Sequence, residues 1–159
     1  MRDYIIMTDS CCDLSQQEVE ELELTVLPLS FTIEGKTLLN TPDHADMSPE
    51  EFFQKIAAGA DCTTAAANVG QFTDAMEKVL QEGKDILCVC FSSALSTTYQ
   101  SACIAAEDLR EKYPEAKILV IDSLSASRGQ GMLLYRAVRE RREKNLTIDE
   151  LDAYVRSSI

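Results

Sequence analysis

The sequence predicts an α/β fold, a three-layer α/β/α sandwich around a mainly parallel sheet, from two observations. Continuous apolar runs at residues 4–7 and 86–91, and a similar run at 116–121 that only Lys117 interrupts, are typical of strands that are covered on both faces. Segments whose apolar residues recur at helical spacing separate these runs. Because strands that alternate with helices pair in parallel through right-handed crossovers, we expect helices on both faces of one sheet.

The first half of the chain is predicted to contain a buried strand, a hairpin and three helices. Pro28 and the turn at residues 34 and 35 interrupt the extended segments, as expected of a hairpin extension. Ser48, Pro49 and Glu51 provide an N-cap, a proline at the first helical position and a capping-box acid. The predicted elements are a strand at 4–7, a helix at 16–21, extended segments at 24–29 and 30–33, a polar loop at 40–46, a helix at 49–58, a polar loop at 61–68 and a helix at 71–81.

The second half of the chain is predicted to alternate strand and helix and to end in two consecutive helices. Pro114 ends the first of its helices, since proline cannot continue an α-helix. Thr147, with Glu150 three residues later, forms a capping box that starts the last helix. The predicted elements are strands at 86–91 and 116–121 and helices at 95–113, 127–144 and 148–159.

The size and charge of the chain limit the classes of function that it can serve. Its 159 residues are expected to form one domain, and its 27 acidic and 15 basic side chains leave a net charge of −12. An acidic chain without a Lys/Arg cluster before Arg136 argues against a nucleic-acid partner. Residues 1–8 lack the features of a signal peptide, and no apolar stretch is long enough to span a bilayer. We therefore predict a cytoplasmic protein without stable membrane insertion.

Hydroxyl side chains, with two aspartates among them, follow three of the predicted strands at the point where each strand ends. Ligands of open α/β sheets bind beyond the carboxyl ends of the strands, so these side chains are expected to meet at one edge. Neutral O–H and N–H donors suit a single carboxylate better than a polyphosphate. The side chains are Thr8, Asp9 and Ser10 after the first strand, Ser92, Ser93, Ser96, Thr97 and Thr98 after the next, and Asp122, Ser123, Ser125 and Ser127 after the last.

Two further hydroxyls, those of Thr63 and Thr64, lie in the polar loop that precedes the helix predicted at 71–81. Free N–H groups and the positive end of the helix dipole favour an anion at such a position. Helix capping accounts for about one hydroxyl in each loop and leaves an excess at residues 92–98. The sequence therefore predicts a carboxylate site built from several loops.

Other chemistries find little support in the sequence. No phosphate-binding glycine motif occurs, and the pair Gly129 and Gly131 lacks the third glycine of a dinucleotide site. His44, the only histidine, lies in a polar loop and is treated as a surface residue, which leaves a serine hydrolase without a base. The six cysteines include no C-x-x-C pair, and Cys88 and Cys90 fit small buried hydrophobes, so we predict no metal and no cofactor.

Six motifs, spread over the chain from end to end, together resemble the DegV family. They are TDSCCDL at 8–14, VLPL at 26–29, the threonines at 63 and 64, SSALSTTYQSA at 92–102, IDS at 121–123 and GQG at 129–131. The resemblance implies a protein that binds a long-chain fatty acid and presents it to the separate ATP-binding subunit of a fatty acid kinase, and is not itself an enzyme. It also implies that hydroxyls hold the carboxylate. The predicted site comprises Thr63, Thr64, Ser93 and Ser96, with Ser92, Asp9 and Ser10 beside them.

The chain departs from the family pattern in two motifs and in length. Thr63 and Thr64 stand where the family has a Thr-Ser pair, and Thr97 stands where the family has a glycine. The family continues into a second domain that helps to enclose the acyl chain, so we expect residues 1–159 to be the N-terminal domain, with the second domain absent. Because each buried methylene contributes about 0.8 kcal/mol, we expect weak binding of long-chain acids unless a partner completes the tunnel.

Two functions from other classes stay open at this point. One is an enzyme that acts on a small carboxylate or phosphate ester with Asp9 or Asp122 as its base, which turnover would reveal. The other is an interaction module that no longer binds lipid and forms a homodimer through the face left by the missing domain, which sedimentation would reveal.

Overall fold

A four-stranded parallel sheet lies at the centre of the structure, a computed structural model that describes residues 2–159. In spatial order its strands are β2 (Leu24–Leu27), β1 (Tyr4–Asp9), β6 (Asp85–Cys90) and β7 (Ile118–Asp122). Every residue of β6 is buried, because this central strand is covered on both faces. The continuous apolar run at 86–91 predicted this environment, and the predicted α/β class is confirmed.

Six helices flank the sheets within the described part of the chain. They are α1 (Gln16–Glu21), α2 (Pro49–Ala57), α3 (Val69–Gln81), α4 (Thr98–Lys112), α5 (Ser127–Lys144) and α6 (Ile148–Ser157), with a short 3-10 helix at Ser10–Cys12. Each α-helix was predicted, and most bounds agree within two residues. The exception is α4, which begins at Thr98 rather than at residue 95, because residues 92–97 form the loop after β6.

The two faces of the sheet carry separate hydrophobic clusters. Leu87 and Val89 of β6 belong to a cluster that includes Leu134 of α5 and Leu151 of α6. Cys88, the residue between them, points to the opposite cluster, which α3 and α4 cover. This alternation confirms the three-layer arrangement. No helix among residues 2–159 combines the length and the apolar character that crossing a bilayer requires.

The cysteines of the described chain are all free and serve mainly as small packed side chains. Cys88 and Cys90 are fully buried in the strand β6, as the sequence predicted. Burial raises the pKa of the Cys11 thiol to about 12 and that of Cys12 to about 11, with smaller contributions from the nearby charges of Asp9 and Asp13. Neither thiol is therefore a reactive thiolate at neutral pH.

A second, antiparallel sheet of three strands lies beside the central sheet and forms part of the site. Its order is β4 (Lys36–Asn40), β3 (Leu29–Ile33) and β5 (Cys62–Ala65). The hairpin of β3 and β4 was predicted, but the polar loop predicted at 61–68 is wrong, since residues 62–65 form β5. The threonines in this segment are β-branched, which suits an exposed edge strand, and their partner β3 is distant in sequence.

Close packing at Gly131 ties α5 to the end of β1. A Cβ atom at this position would lie 2.8 Å from the backbone oxygen of Cys12 and 3.0 Å from Cδ2 of Leu14. Because neither the backbone nor a packed leucine moves freely, we expect Gly131→Ala to lower the free energy of unfolding by about 1–3 kcal/mol. Urea denaturation measures the change. Met132→Ala, at a neighbouring exposed position, is the control and should change stability by less than about 0.5 kcal/mol; equal stability of the two variants would contradict the packing described.

Candidate functional site

An apolar cleft of about 480 Å³ lies against the three-stranded sheet and α2. Phe31 of β3 and Phe52 of α2 form its walls, with ring centroids 5.5 Å apart in an edge-to-face contact. Phe53 continues the aromatic row, with its ring 5.5 Å from that of Phe52. Leu29, Met47 and Leu95 complete the apolar lining. The volume lies within the range that small-molecule sites occupy.

Helix α2 serves this cleft rather than the hydrophobic core. It has a pronounced apolar side, yet none of its residues is buried. Phe53 is 67% exposed, and Leu95, across the cleft, is 66% exposed. Two large apolar side chains that face solvent beside an apolar cleft form a surface that an apolar ligand would cover.

A wider, polar groove of about 790 Å³ adjoins the cleft. Thr64, Ala66, Leu95 and Ser96 line both spaces, so the two meet along this edge. The remaining polar lining comes from the loop after β6 and the first turn of α4. These residues are Ser93, Thr97, Tyr99 and Gln100. The arrangement places hydroxyls at the boundary between an apolar space and a polar one.

The hydroxyl of Ser96 lies close to the N-terminus of α4. Its Oγ atom accepts a hydrogen bond from the backbone N–H of Thr98 at 3.2 Å and lies 2.8 Å from the Oγ1 atom of Thr98. Thr97, the N-cap residue of α4, makes no side-chain capping bond, in contrast to the caps of α1, α2, α3 and α6. Thr97 thus leaves the N-terminus of this helix without a cap from the N-cap residue itself, and Ser96 Oγ is the side-chain acceptor for its first N–H group.

Three of the predicted site residues come together at this boundary. Thr64 and Ser96 line both the cleft and the groove, and Ser93 lines the groove beside them. Thr64 reaches the cleft from β5, where it pairs with Phe31 of β3, and the two serines reach it from the loop after β6. These three hydroxyl-bearing residues are thus brought together from a strand of the small sheet and from the loop after β6.

Thr63, which was also predicted to lie in the site, lines neither of the two spaces. Neighbouring residues of a strand point to opposite faces, so Thr63 lies on the face of β5 away from Thr64. It pairs there with Thr32, whose hydroxyl lies 2.9 Å from that of Thr37. The predicted helix-start setting also fails, because a capping box of Asn68 and Gln71 closes the N-terminus of α3.

Asp9, Ser10 and Ser92, which were also predicted to lie in the site, are buried side chains that bond to nearby backbone groups. None of them lines the cleft or the polar groove. Ser10 Oγ accepts a hydrogen bond from the backbone N–H of Leu29 at 2.9 Å, and Ser92 Oγ accepts one from Ala94 at 3.3 Å. Polar side chains at strand ends are thus used to satisfy nearby backbone donors.

Asp9 is 0% exposed and has donors on both carboxylate oxygens. Its Oδ2 atom accepts from the backbone N–H of Phe91 at 2.7 Å. Its Oδ1 atom accepts from the backbone N–H of Cys11 at 3.1 Å and from Nε2 of Gln130 at 3.3 Å. Burial raises the pKa of Asp9 above the usual 3.8, although these hydrogen bonds act to lower it.

This raised pKa predicts how stability depends on pH. Above pH 3.8 and up to the higher pKa of the folded state, the folded chain binds more protons at Asp9 than the unfolded chain does. The free energy of unfolding of the wild type, relative to that of Asp9→Asn, should therefore fall as the pH rises through this window and then level off. Urea denaturation of both proteins at a series of pH values measures this difference. A difference that stays constant or grows with pH would contradict the raised pKa.

Several residues of the cleft were not predicted from the sequence. The apolar wall of the cleft was not predicted, because its residues Phe31, Phe52 and Phe53 carry no polar group. The two adjacent phenylalanines on the amphipathic helix α2 are the sequence feature that indicates an apolar surface there. His44 was treated as a surface residue, and it is exposed, but it also lines the cleft together with Asn40. These two side chains form a second polar edge, on the side of a smaller groove of about 250 Å³.

The chain is an α/β domain with an apolar cleft, and comparison with known proteins identifies its family. Residues 4–157 match the model of the DegV family, which is described as uncharacterised protein. A DegV domain-containing protein of Clostridium perfringens is 36% identical over 155 residues, which cover 98% of this chain and 53% of that protein. This chain belongs to the DegV family. It spans about half the length of the curated relatives it matches.

Solved structures have the same fold as this chain. A fatty acid (stearic acid)-binding protein from Eubacterium ventriosum superposes with a TM-score of 0.84 at 28% identity, over 96% of this chain and 52% of that chain. A DegV family protein from Thermus thermophilus, described for its fatty acid binding, gives a TM-score of 0.83 at 30% identity, over 99% of this chain and 53% of that chain. These structural neighbours are DegV fatty-acid-binding proteins.

Proposed function

We propose that this chain binds a long-chain fatty acid, with the acyl chain in the apolar cleft and the carboxylate at the edge shared with the polar groove. One observation carries the proposal: Thr64 and Ser96 line both spaces, so hydroxyls stand where an apolar tail would meet its polar head. The fatty acid binding described for the two structural neighbours supports it.

The acyl chain fits the aromatic and aliphatic lining of the cleft. Each methylene removed from water contributes about 0.8 kcal/mol. An acyl chain against Phe52 and Phe53 would also cover apolar surface of this chain, since Phe53 and Leu95 are mostly exposed. The family resemblance implies a second domain that helps to enclose the acyl chain, so we expect residues 1–159 alone to bind long-chain acids weakly.

The carboxylate is held by neutral donors in this proposal. When Thr98 donates its hydroxyl proton to Ser96 Oγ, the Ser96 hydroxyl keeps its own proton to donate to the ligand. Thr64 donates from the strand β5, Ser93 lies in the adjoining groove, and the positive end of the α4 dipole near Ser96 favours the negative charge. Each hydrogen bond to a charged acceptor contributes about 1.5–3 kcal/mol.

We also propose that the bound acid is presented to the ATP-binding subunit of a fatty acid kinase, as the family resemblance implies. The polar groove at the head-group edge gives a partner protein access to the carboxylate. This chain contributes binding rather than catalysis. Asp9, a base in the enzymatic alternative, is 0% exposed and already accepts three hydrogen bonds, which does not favour that alternative.

Isosteric variants of two adjacent threonines test the proposed site. Palmitate labelled with ¹³C at the carboxyl carbon is titrated into the wild type, Thr64→Val, Ser96→Ala and Thr63→Val, and binding is followed by the ¹³C resonance. We expect dissociation constants about 10-fold higher for Thr64→Val and Ser96→Ala, since each loses one donor to the carboxylate. Thr63→Val, on the other face of β5, is the matched control and should bind as the wild type does. A wild type that does not bind palmitate, or equal affinity of all four proteins, would overturn the proposal.

A further inference from the structure

Three consecutive backbone amides at the start of the loop after β6 are each held by a different acceptor. The N–H of Phe91 donates to Asp9 Oδ2 at 2.7 Å. The N–H of Ser92 donates to the carbonyl oxygen of Ser125 at 3.0 Å. The N–H of Ser93 donates to Asp122 Oδ1 at 3.1 Å. The path of this loop is therefore fixed from both neighbouring strands, β1 and β7.

The anchor from β1 is part of the buried interior. Asp9 and Gln130 are both fully buried, and Gln130 Nε2 donates to Thr8 Oγ1 at 3.0 Å as well as to Asp9. The Thr8 hydroxyl in turn donates to the carbonyl oxygen of Val89 at 2.7 Å. This network joins β1, β6 and α5, and it holds the loop at its first residue, below the site.

The anchor from β7 lies directly beside the site. Asp122 is the last residue of β7, and its Oδ1 atom accepts from the N–H groups of both Ser93 and Leu124, each at 3.1 Å. Partial burial acts to raise the pKa of Asp122, but hydrogen bonds from the side chain of Ser93 and from the backbone N–H groups of Leu124 and Ser93 outweigh it and lower the pKa below the usual 3.8. The carboxylate is thus ionised at neutral pH.

An ionised aspartate is an unexpected neighbour for a carboxylate-binding site, because like charges repel. Its negative charge would weaken the binding of an anion, so its presence beside Ser93 requires another role. The two backbone donors on Oδ1 supply that role, since they fix Ser93 and the turn at Leu124 relative to the end of the sheet.

We propose that Asp122 is a positioning residue for the head-group site, an inference that rests on the proposed function. It holds the backbone at Ser93 so that the loop carries the hydroxyls of Ser93 and Ser96 to the shared edge of the cleft and the groove. The lone pairs of Asp122 Oδ1 hold the backbone by accepting hydrogen bonds, and the negative charge of the carboxylate is not required for this. The role does not require contact between Asp122 and the ligand.

The geometry at Asp122 separates the effect of charge from the effect of hydrogen bonding. Both backbone donors bind Oδ1, so an asparagine with its carbonyl oxygen in that position keeps both bonds and removes the charge. Alanine removes both bonds and the charge together. Asp122→Asn is therefore the conservative variant that should rescue the positioning lost in Asp122→Ala.

A pair of ligands that differ only in the head group tests the proposal. Dissociation constants for dodecanoate and for dodecanol are measured by isothermal titration calorimetry for the wild type, Asp122→Ala and Asp122→Asn. We expect Asp122→Ala to bind dodecanoate about 10-fold more weakly and dodecanol as the wild type does. Asp122→Asn should bind dodecanoate at least as tightly as the wild type, since it keeps the hydrogen bonds and removes a like charge.

The possible outcomes distinguish this proposal from the proposed function. A wild type that binds neither ligand contradicts the fatty acid site itself. If the wild type and Asp122→Ala bind dodecanoate with equal affinity, the positioning role is overturned and the fatty acid site is not. Equal weakening of dodecanoate and dodecanol by Asp122→Ala also overturns it, because a general loss of structure affects both ligands.

Discussion

Replacing Phe31 by aspartate is expected to raise the dissociation constant for palmitate by at least about 100-fold, because it puts an unpaired charge into the apolar cleft. Phe31 lies on β3 with its ring against Phe52, at the centre of the surface that the acyl chain is proposed to cover. A carboxylate there must either lose its hydration or hold water in the cleft. The measurement is the titration of ¹³C-labelled palmitate described above, with a circular dichroism spectrum to confirm folding.

Thr37→Asp is the matched control for this variant. Thr37 is exposed on the neighbouring strand β4 and pairs with Thr32, on the face of the small sheet opposite Phe31. The same charge is thus added to the same sheet, and affinity should stay within about twofold of the wild type, since an exposed charge is well screened. Equal affinities of Phe31→Asp and the wild type would place the acyl chain outside this cleft.

The largest effect on stability is expected from Phe72→Ala, which should lower the free energy of unfolding by about 3–5 kcal/mol. Phe72 of α3 is 0% exposed and packs in the cluster between α3, α4 and the sheet, so its removal leaves a cavity in a close-packed interior. Urea denaturation measures the change.

A second phenylalanine provides the comparison for this prediction. Phe53 is 67% exposed, so Phe53→Ala should change the free energy of unfolding by less than about 0.5 kcal/mol while weakening palmitate binding. Phe72→Ala should do the reverse at temperatures where it remains folded. Comparable losses of stability in the two variants would contradict the assignment of Phe72 to the core and Phe53 to the cleft.

The sequence predicts the central sheet and its helices well because these elements carry local signals. The continuous apolar run at 86–91 could only be a strand buried on both faces or a buried helix, and its short length favoured the strand. The capping box predicted at Thr147 is present as a hydrogen-bonded pair, and the predicted N-cap Ser48 accepts from the N–H of Glu51. Strand β5 was not predicted, because its pairing with β3 joins distant parts of the chain. Its two threonines lie in a polar segment whose local sequence is typical of a loop.

The candidate site was predicted in part, for reasons that particular residues illustrate. Ser93 and Ser96 lie in the loop after β6, as predicted, whereas Thr64 reaches the same edge from the strand β5 through its pairing with β3. The pattern of hydroxyls in the sequence does not distinguish a side chain that donates to a ligand from one that bonds to the protein's own backbone. Asp9 therefore looked like a site residue, whereas its acceptors are used by the fold.

Two motifs of the family resemblance have a structural explanation in this chain. The buried side chain of Gln130, in the GQG motif, donates to Thr8 and Asp9 of the TDS motif. Gly131, the next residue, allows the close approach of α5 to the backbone of Cys12. The two motifs thus form one packed unit at the end of β1, and this unit supports the loop that carries Ser93.

A crystal structure of this chain with bound palmitate tests the central claim most directly. The account predicts the carboxylate within hydrogen-bond distance of the hydroxyls of Thr64 and Ser96, with the acyl chain in contact with Phe31 and Phe52. A carboxylate at the opposite polar edge, beside His44, or an acyl chain outside the cleft would contradict it.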